Sequence, residues 1–340
     1  MKHSRGPLAI AKLAATALLL TTLTVPAHAT TLGCTMNVLE PAPGTPSSGT
    51  AWVTEGDDTG RYLLGESTLP DHSAMRPVLW TNGVPQWLDR QPGVGSTAVD
   101  VNNDGTVVGY TGDETGGSHP WTWSGGSYKD LAGPAGLEDV TVSAINNRGD
   151  IAGYGWDPAT FGFAGVVWPK GGAAIRLDAK WSALVVDINE KGVVVGNVQT
   201  PTGNAGWIWT DWQSSGSQLP GKQAETTRVQ EIRGDWIGGK EQLSDGSWAG
   251  LVWNLSTLAV ESRARPVNSI NVNGDVAIEP SLSEGAVIVK ADGSRVELPE
   301  WSNIYHLFDR GRSVSAGGYD GHEPSPRAIT STGCFPPDHT

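Results

Sequence analysis

A unit of four short β-strands recurs along this chain, and the recurrence is the feature that most constrains its fold. Each unit contains a turn glycine between its first and second predicted strands. These are Gly60, Gly105, Gly149, Gly192, Gly234, Gly274 and Gly311, spaced 45, 44, 43, 42, 40 and 37 residues apart. This period, with four strands per unit, is typical of β-propeller blades. The sequence therefore predicts an all-β, seven-bladed propeller of four-stranded antiparallel blades, with six blades and irregular ends as the alternative.

A tryptophan in the third predicted strand keeps nearly the same period as the glycine. The matching positions are Trp80, Trp123, Trp168, Trp209 and Trp253, followed by Val289 and Ile329. A second bulky residue stands two positions earlier, which places both side chains on one face of the strand. We expect these faces to pack between neighbouring blades. Other tryptophans do not fit the pattern and could either pack or stack on sugars: Trp156, Trp181, Trp212 and Trp248.

The predicted turn has a simple mechanism. Asn102, Asn146, Asn189 and Asn271 stand three residues before their glycines. An asparagine side chain can accept hydrogen bonds from the backbone of its own turn, and glycine supplies the positive φ. A small residue recurs in the second strand, for example Gly109, where we expect a neighbouring sheet to come close.

The first 29 residues have the pattern of a cleaved signal peptide. Lys2, Arg5 and Lys12 precede an apolar run over 13–25, and Ala27-His28-Ala29 is a small-x-small cleavage motif. We expect cleavage after Ala29 and a secreted, single-domain propeller over residues 30–340. A lipoprotein anchored at Cys34 is the alternative. No later segment is apolar enough to predict a membrane span.

The only two cysteines, Cys34 and Cys334, lie near the two ends of the mature chain. The last unit lacks one strand, and residues 35–41 resemble the fourth strand at 295–299. We therefore expect the N-terminal strand to complete the seventh blade and close the ring. That arrangement would place the cysteines side by side, so an oxidising compartment predicts a disulfide between them.

The stretches 187–196 and 206–209 combine Asn-x-x-Gly, Val-Val-Gly and an apolar-Trp strand. Asp130-Leu131 adds a closing Asp-Leu pair. This combination resembles the HAF-repeat family of extracellular bacterial proteins, most clearly between residues 96 and 254. The resemblance implies a secreted β-propeller whose repeat is structural. It implies no catalytic residues.

Charge and motifs exclude several function classes. The net charge of −13 disfavours nucleic acid as a partner. The sequence contains no Gly-x-Ser-x-Gly elbow, phosphate-binding loop or His-Glu-x-x-His motif. The stretch 100–105 resembles the start of a calcium loop, but Thr111 stands where the closing glutamate is needed. Calcium is the one cofactor considered, and an asparagine turn is the competing interpretation.

Three histidines fall in predicted loops between second and third strands of units that would be adjacent in a closed ring. With nearby acids they form a candidate top-face binding site: His72, His119, His322, Asp113, Asp320 and Glu323. Such side chains could bind a metal or transfer protons, although scattered loop histidines are the competing interpretation.

The sequence favours an extracellular binding or scaffold module, monomeric, whose ligand is a glycan or another exported protein. The alternative is a propeller hydrolase or lyase with a top-face acid and histidine site. A group of acids or histidines brought to the axis by several blades would favour the enzyme. A ring with a purely structural role is the third hypothesis.

Overall fold

The structure is a computed structural model. It describes residues 35–88, 95–113, 116–222, 226–280, 285–298, 304, 306–307, 313–318 and 327–332. The predicted signal peptide, Cys34, Cys334, Asp320, His322 and Glu323 lie outside these ranges, so the predictions about them stay predictions. In the described part of the chain every regular element is a β-strand. None of it forms a helix long and apolar enough to cross a membrane.

The described chain begins with β1 (Thr35–Val38) and continues into blades of four consecutive strands. Blade 1 contains β2 (Ala51–Gly56), β3 (Tyr62–Thr68), β4 (Met75–Thr81) and β5 (Val84–Trp87). Blade 2 contains β6 (Ser96–Val101), β7 (Val107–Gly112), β8 (Ser118–Ser124) and β9 (Ser127–Asp130). Blade 3 contains β10 (Glu138–Ile145), β11 (Ile151–Asp157), β12 (Gly162–Trp168) and β13 (Ile175–Arg176).

The second half repeats this arrangement. Blade 4 contains β14 (Ala183–Ile188), β15 (Val194–Thr200), β16 (Gly203–Trp209) and β17 (Ser217–Gln218). Blade 5 contains β18 (Thr227–Arg233), β19 (Trp236–Gln242), β20 (Trp248–Asn254) and β21 (Ala259–Arg263). Blade 6 contains β22 (Val267–Ile270), β23 (Val276–Ile278), β24 (Ala286–Val289) and β25 (Arg295–Leu298). The last strands are β26 (His306–Leu307), β27 (Ser313–Gly318) and β28 (Arg327–Thr332).

The strands pair antiparallel in chain order within each blade, which confirms a propeller of four-stranded antiparallel blades. Six blades consist of consecutive strands. A further four-stranded sheet is built from the two chain ends in the order β1-β28-β27-β26, with Thr35 opposite Thr332. This end sheet contacts β2 of blade 1 on one side and β22 and β23 of blade 6 on the other. It is therefore the sheet on which the choice between six and seven blades depends.

The hydrophobic core is divided among the blade interfaces, as the tryptophan pattern predicts. One cluster joins Leu64 and Leu79 of blade 1 to Val107 and Trp121 of blade 2, and similar clusters follow around the ring. The third-strand tryptophans are buried, and four of them donate their indole N–H to a carbonyl just before their own blade. The donor and acceptor pairs are Trp80 and Glu40, Trp168 and Ala132, Trp209 and Asp178, and Trp253 and Pro220, at 2.7–2.9 Å.

One predicted core position is wrong. Val289 faces Val276 in blade 6, as Trp123 faces Val107 in blade 2, so Val289 does occupy the tryptophan position. In the end sheet the corresponding partner of Val314 is Ser331 rather than Ile329. The pairing of β27 with β28 is therefore displaced by two residues from the alignment by sequence, and alignment alone could not detect that displacement.

The innermost strand of each of blades 1–6 carries a β-bulge, and this bulge explains the second-strand glycine. In blade 2 the register shifts between Ala98 and Asp100, opposite Gly109. A Cβ atom on Gly109 would lie 2.2 Å from the Thr97 carbonyl oxygen and 2.4 Å from the Trp121 ring. The close neighbour of Gly109 is thus the blade's own inner strand, and the expectation of a neighbouring sheet is wrong there. It is right for Gly238 of blade 5, where a Cβ atom would lie 2.8 Å from Val267 Cγ1 of blade 6.

Candidate functional site at the propeller axis

Each inner strand brings one equivalent residue to the axis, immediately after its bulge. The extra residue of a bulge changes the direction of the side chains that follow it, so the next side chain faces the central channel of the propeller. The positions are Glu55, Asp100, Ala144, Asp187, Glu231 and Ser269. His306 takes the corresponding place in the end sheet. The residue that follows it, Leu307, donates its backbone N–H to Ser269 of the preceding blade. In the same way Ile145, which follows Ala144, donates its N–H to Asp100. We call these seven residues the axial ring.

Three carboxylates of the axial ring fasten one blade to the next. Each accepts a backbone N–H from the following blade at 2.8 Å. The pairs are Asp100 with Ile145, Asp187 with Ile232, and Glu231 with Ile270. The Ser269 hydroxyl accepts the Leu307 N–H at 3.0 Å in the same way. These side chains therefore have a structural role, since buried backbone donors need acceptors.

One guanidinium group balances part of this negative charge. Arg233 lies at the end of β18, with Nη1 3.1 Å from Asp187 Oδ2 and Nη2 2.9 Å from Glu231 Oε1. Burial raises the pKa values of Asp187 and Glu231, and the positive charge of Arg233 opposes the rise in both. Burial also raises the pKa of Asp100 well above its usual range, with repulsion from Glu55 adding to the effect.

Glu55 is used differently from the other acids. Val101, the blade 2 residue that corresponds to Ile145, donates its N–H to Asp100 rather than to Glu55. The Glu55 carboxyl instead lies 3.1 Å from His306 Nδ1. Its side chain is 34% exposed to the channel, whereas that of His306 is 1% exposed.

Burial moves the pKa values of this pair in opposite directions. It raises the pKa of Glu55 to about 8, against the attraction of Arg233. It lowers the pKa of His306 to about 4, and the nearby positive charge of Arg233 adds to that shift. Near neutral pH both groups are therefore uncharged, and a protonated carboxyl can share its hydrogen with the imidazole.

Two cavities meet at the axial ring. We call the end of the propeller that carries the first-to-second-strand turns the turn face. The larger cavity, about 220 Å³, opens there and is lined by residues from all six consecutive blades. The smaller, about 70 Å³, lies deeper and is lined by Glu55, Asp187 and Glu231. Asp100 and Arg233 line both cavities, so they mark the boundary between them.

The wall of the larger cavity is a polar network that passes from turn to turn. Asn103 and Asn147 both donate side-chain N–H groups to Asp58. The Asn147 backbone N–H is held by Glu190 at 2.9 Å. Burial raises the pKa of Glu190, and repulsion from Asp58 contributes. This wall offers acceptors and charge to a ligand with hydroxyl groups or a positive charge.

The asparagine turns form as predicted and also bridge blades. Asn102 Oδ1 accepts the backbone N–H groups of Asp104 and Thr106 at 3.1 and 3.0 Å. Its Nδ2 donates to the Asn146 carbonyl in blade 3 at 3.2 Å. Among the described residues no group of three or more His, Cys, Asp or Glu could hold a metal ion. The calcium hypothesis remains a prediction.

The structure brings together only one pair from the predicted top-face site. His119 Nε2 lies 2.9 Å from Asp113 Oδ2, and both side chains are exposed. His72 occupies a tight turn with a φ of 58°, next to an Asp71–Ser73 hydrogen bond. The other three members lie outside the described residues, so convergence of the site stays a prediction.

Sequence reasoning missed the axial ring, although a signal was present. Glu55, Asp100, Asp187, Ser269 and His306 each stand five residues before the aligned turn glycine. Glu231 stands only three before Gly234, because its turn is one residue shorter and its glycine lies one position earlier in the turn. Reading down this one column of the repeat would have shown a polar residue in every unit but the third, which has Ala144, and the fifth, which has Val229.

No protein-family model matches the chain, and no curated protein matches it by sequence. The resemblance to HAF-repeat proteins thus stays a prediction. Solved structures do share its fold. The β-propeller domain of the Trilobed protease from Pyrococcus furiosus, described as having an open velcro topology, is 11% identical with a TM-score of 0.57. The match covers 84% of this chain and 96% of that one.

Two further structures have the same degree of similarity. Oligogalacturonate lyase from Vibrio parahaemolyticus is 11% identical with a TM-score of 0.58, over 89% of this chain and 97% of that one. Prolyl oligopeptidase B from Galerina marginata is 13% identical with a TM-score of 0.58, over 85% of this chain. The match spans half of that peptidase. At these identities the similarity shows the propeller fold alone.

Proposed function

We propose that this protein is an exported binding module whose ligand site is the turn-face cavity on the axis. The observation that carries the proposal is that all six consecutive blades contribute residues to one cavity of about 220 Å³. Convergent polar groups in a preformed concave site are the usual form of a ligand site. The cavity suits a small hydroxyl-rich group, such as the end of a glycan chain.

Glu190 offers the sharpest test of this site. Its carboxylate faces the cavity and holds Asn147 in place. Glu190→Gln keeps an acceptor for the Asn147 N–H but removes the charge. We expect the mature protein to bind glycans on an array, and Glu190→Gln to weaken binding about tenfold. The surface variant Glu261→Gln should bind like the unmodified protein. An array without hits, with or without EDTA, would refute glycan binding and redirect the search to a protein ligand.

The second candidate is a hydrolase or lyase at the axial ring. Several blades do bring acids and a histidine to the axis, which is the arrangement that favours an enzyme. A Glu55 that stays protonated up to a pH of about 8 can act as a general acid, and the neutral His306 beside it can accept a proton. Polygalacturonate and neutral polysaccharides are suitable trial substrates, because an oligogalacturonate lyase shares the fold.

Turnover would be measured as new reducing ends, or as unsaturated products for a lyase. Loss of that turnover in Glu55→Gln, with unchanged binding on the array, would support an enzyme. No turnover with any of these polysaccharides would leave the binding module as the better account of the axis.

Export and ring closure complete the proposal. Cleavage after Ala29 would release a monomer whose Cys34 and Cys334 are joined, fixing the N-terminal strand as the outer strand of a seventh blade. The pairing of β1 with β28 supports this closure. Mass spectrometry of the exported protein before and after reduction tests it. A mass that corresponds to cleavage at another position, or two free thiols, would contradict it.

A further inference from the structure

A groove on the opposite end of the propeller combines one exposed and two half-buried aromatic rings with polar side chains. It has a volume of about 280 Å³ and runs between blades 3 and 4. One wall is the turn joining β11 to β12, with Phe161 and Phe163. The other is the link into β14, with Lys180 and Trp181, and Gln199 of β15 closes one side. None of its residues lines the axial cavities, so the groove is independent of the function proposed above.

Phe161 is displayed at a conformational cost. It is 82% exposed, and its φ of 52° lies in the left-handed region that bulky side chains avoid. A large apolar ring on strained backbone gains nothing from burial in the protein itself. Strain of this kind is found where a residue is held for a function.

The other two rings are fixed in position. Phe163 is held by edge contacts with Tyr154 and Trp156, at centroid distances of 5.5 and 5.4 Å. Trp181 packs against the blade 4 core and meets the Trp207 ring edge-on at 6.3 Å. The two walls are tied together, because Ser182 Oγ accepts the Phe163 N–H at 3.0 Å. The groove is therefore pre-organised, which lowers the entropy lost on binding.

The polar side chains around the rings complete a mixed surface. Lys180 Nζ lies 4.9 Å above the Trp181 ring, and Gln199 and Asp178 are exposed at the rim. Sugar rings present both an apolar face of C–H groups, which stacks on aromatic rings, and a rim of hydroxyls. The charges of the groove itself nearly cancel, because Arg176 is paired with Asp157 and Lys180 stands beside Asp178, so a neutral sugar fits better than an acidic one.

We propose that this groove binds a neutral pyranose unit of a polysaccharide, with Phe161 and Trp181 as the stacking platform and Gln199 as a hydrogen-bonding residue. Trp181 would then be one of the tryptophans outside the repeat pattern that stack on a sugar.

The test uses the exported protein in native gels containing soluble β-glucan, galactomannan, xyloglucan or polygalacturonate. We expect at least one neutral polysaccharide to retard migration, and Phe161→Gly to weaken that binding at least tenfold. Because glycine relieves the strained φ, Phe161→Gly should also raise Tm by about 1–2 °C. Loss of binding from a more stable protein cannot be attributed to misfolding.

Leu258→Gly is the matched control. Leu258 is 83% exposed with a φ of 60°, but it lies in the turn before β21, outside the groove. This variant should gain similar stability and keep its binding. The surface variant Glu261→Gln should also keep it, so that retardation weakened by Phe161→Gly but not by the two controls belongs to the groove. Binding that survives Phe161→Gly, retardation only by polygalacturonate, or no retardation by any neutral polysaccharide would overturn the proposal.

Discussion

Replacing Glu55 by Gln should change how the stability of this protein depends on pH. In the unfolded chain Glu55 loses its proton at its ordinary pKa of 4.5, whereas the folded protein holds the proton up to about 8. Between these values the unfolded state binds fewer protons than the folded state. Stability is therefore fully present below pH 4.5 and is lost as the pH rises toward 8.

The size of this loss follows from the two pKa values. A change from 4.5 to about 8 corresponds to about 5 kcal/mol for a fully buried group. The Glu55 side chain is 34% exposed, so solvent screening reduces the expected effect to about 2 kcal/mol. Less than about 1 kcal/mol of it should be lost between pH 6.5 and 8.

His306 gives the opposite dependence at lower pH. Its folded pKa of about 4 lies below its ordinary value of 6.5, so stability falls as the pH drops from 6.5 to 4. The two residues therefore oppose each other between pH 4.5 and 6.5, and the window above 6.5 isolates the carboxyl groups.

Urea unfolding from pH 4 to pH 9 is the measurement. The unmodified protein and the surface variant Glu261→Gln should lose stability above pH 6.5. Glu55→Gln should show a clearly smaller loss, the remainder coming from the other axial acids. An unchanged slope above pH 6.5 in Glu55→Gln would refute the assignment of this titration to the axis.

Three further changes test the structural roles of repeat residues. Gly109→Ala should destabilise by about 2–3 kcal/mol in thermal or urea unfolding, because its Cβ would overlap the Thr97 carbonyl; Gly112→Ala in the same strand has open space and should be near neutral. Trp209→Phe should cost about 2 kcal/mol by the same measurement, since it removes the 2.9 Å hydrogen bond to the Asp178 carbonyl and part of a fully buried ring. Asn146→Ala should cost about 2 kcal/mol and speed hydrogen exchange at the Asp150 amide, which it caps at 2.9 Å. If one of these three variants is as stable as the unmodified protein, the role assigned to that residue is refuted.

The parts of the fold that repeat could be predicted from the sequence. Turn glycines and third-strand tryptophans recur because every blade needs the same tight turn and the same apolar surface for packing against its neighbour. A regular spacing of residue types is enough to detect both. The end sheet was accessible to the same reasoning, since β1 resembles the fourth strand of other units.

The axial site was harder to predict because its chemistry depends on geometry that the repeat hides. Asp100 and Asp187 sit inside apolar strands, and alternation alone does not show that a bulge turns them toward the channel. The raised pKa of Glu55 depends on burial and on charges from other blades, which no local pattern contains. The groove beside Phe161 could not be predicted, because the exposure of this ring depends on a positive backbone φ that the residue type does not reveal.

Several polar side chains of the inner strands and turns find partners in the next blade along the chain, and this has a consequence for how the molecule is assembled. Asp100 and Asn102 of blade 2 find partners in blade 3, which is synthesised later. A newly emerged blade therefore leaves polar groups exposed to water until its successor arrives and covers them. We expect assembly to proceed vectorially from the N-terminal side, with each arriving blade completing the one before it. The chain-end sheet, which needs both termini, would form last.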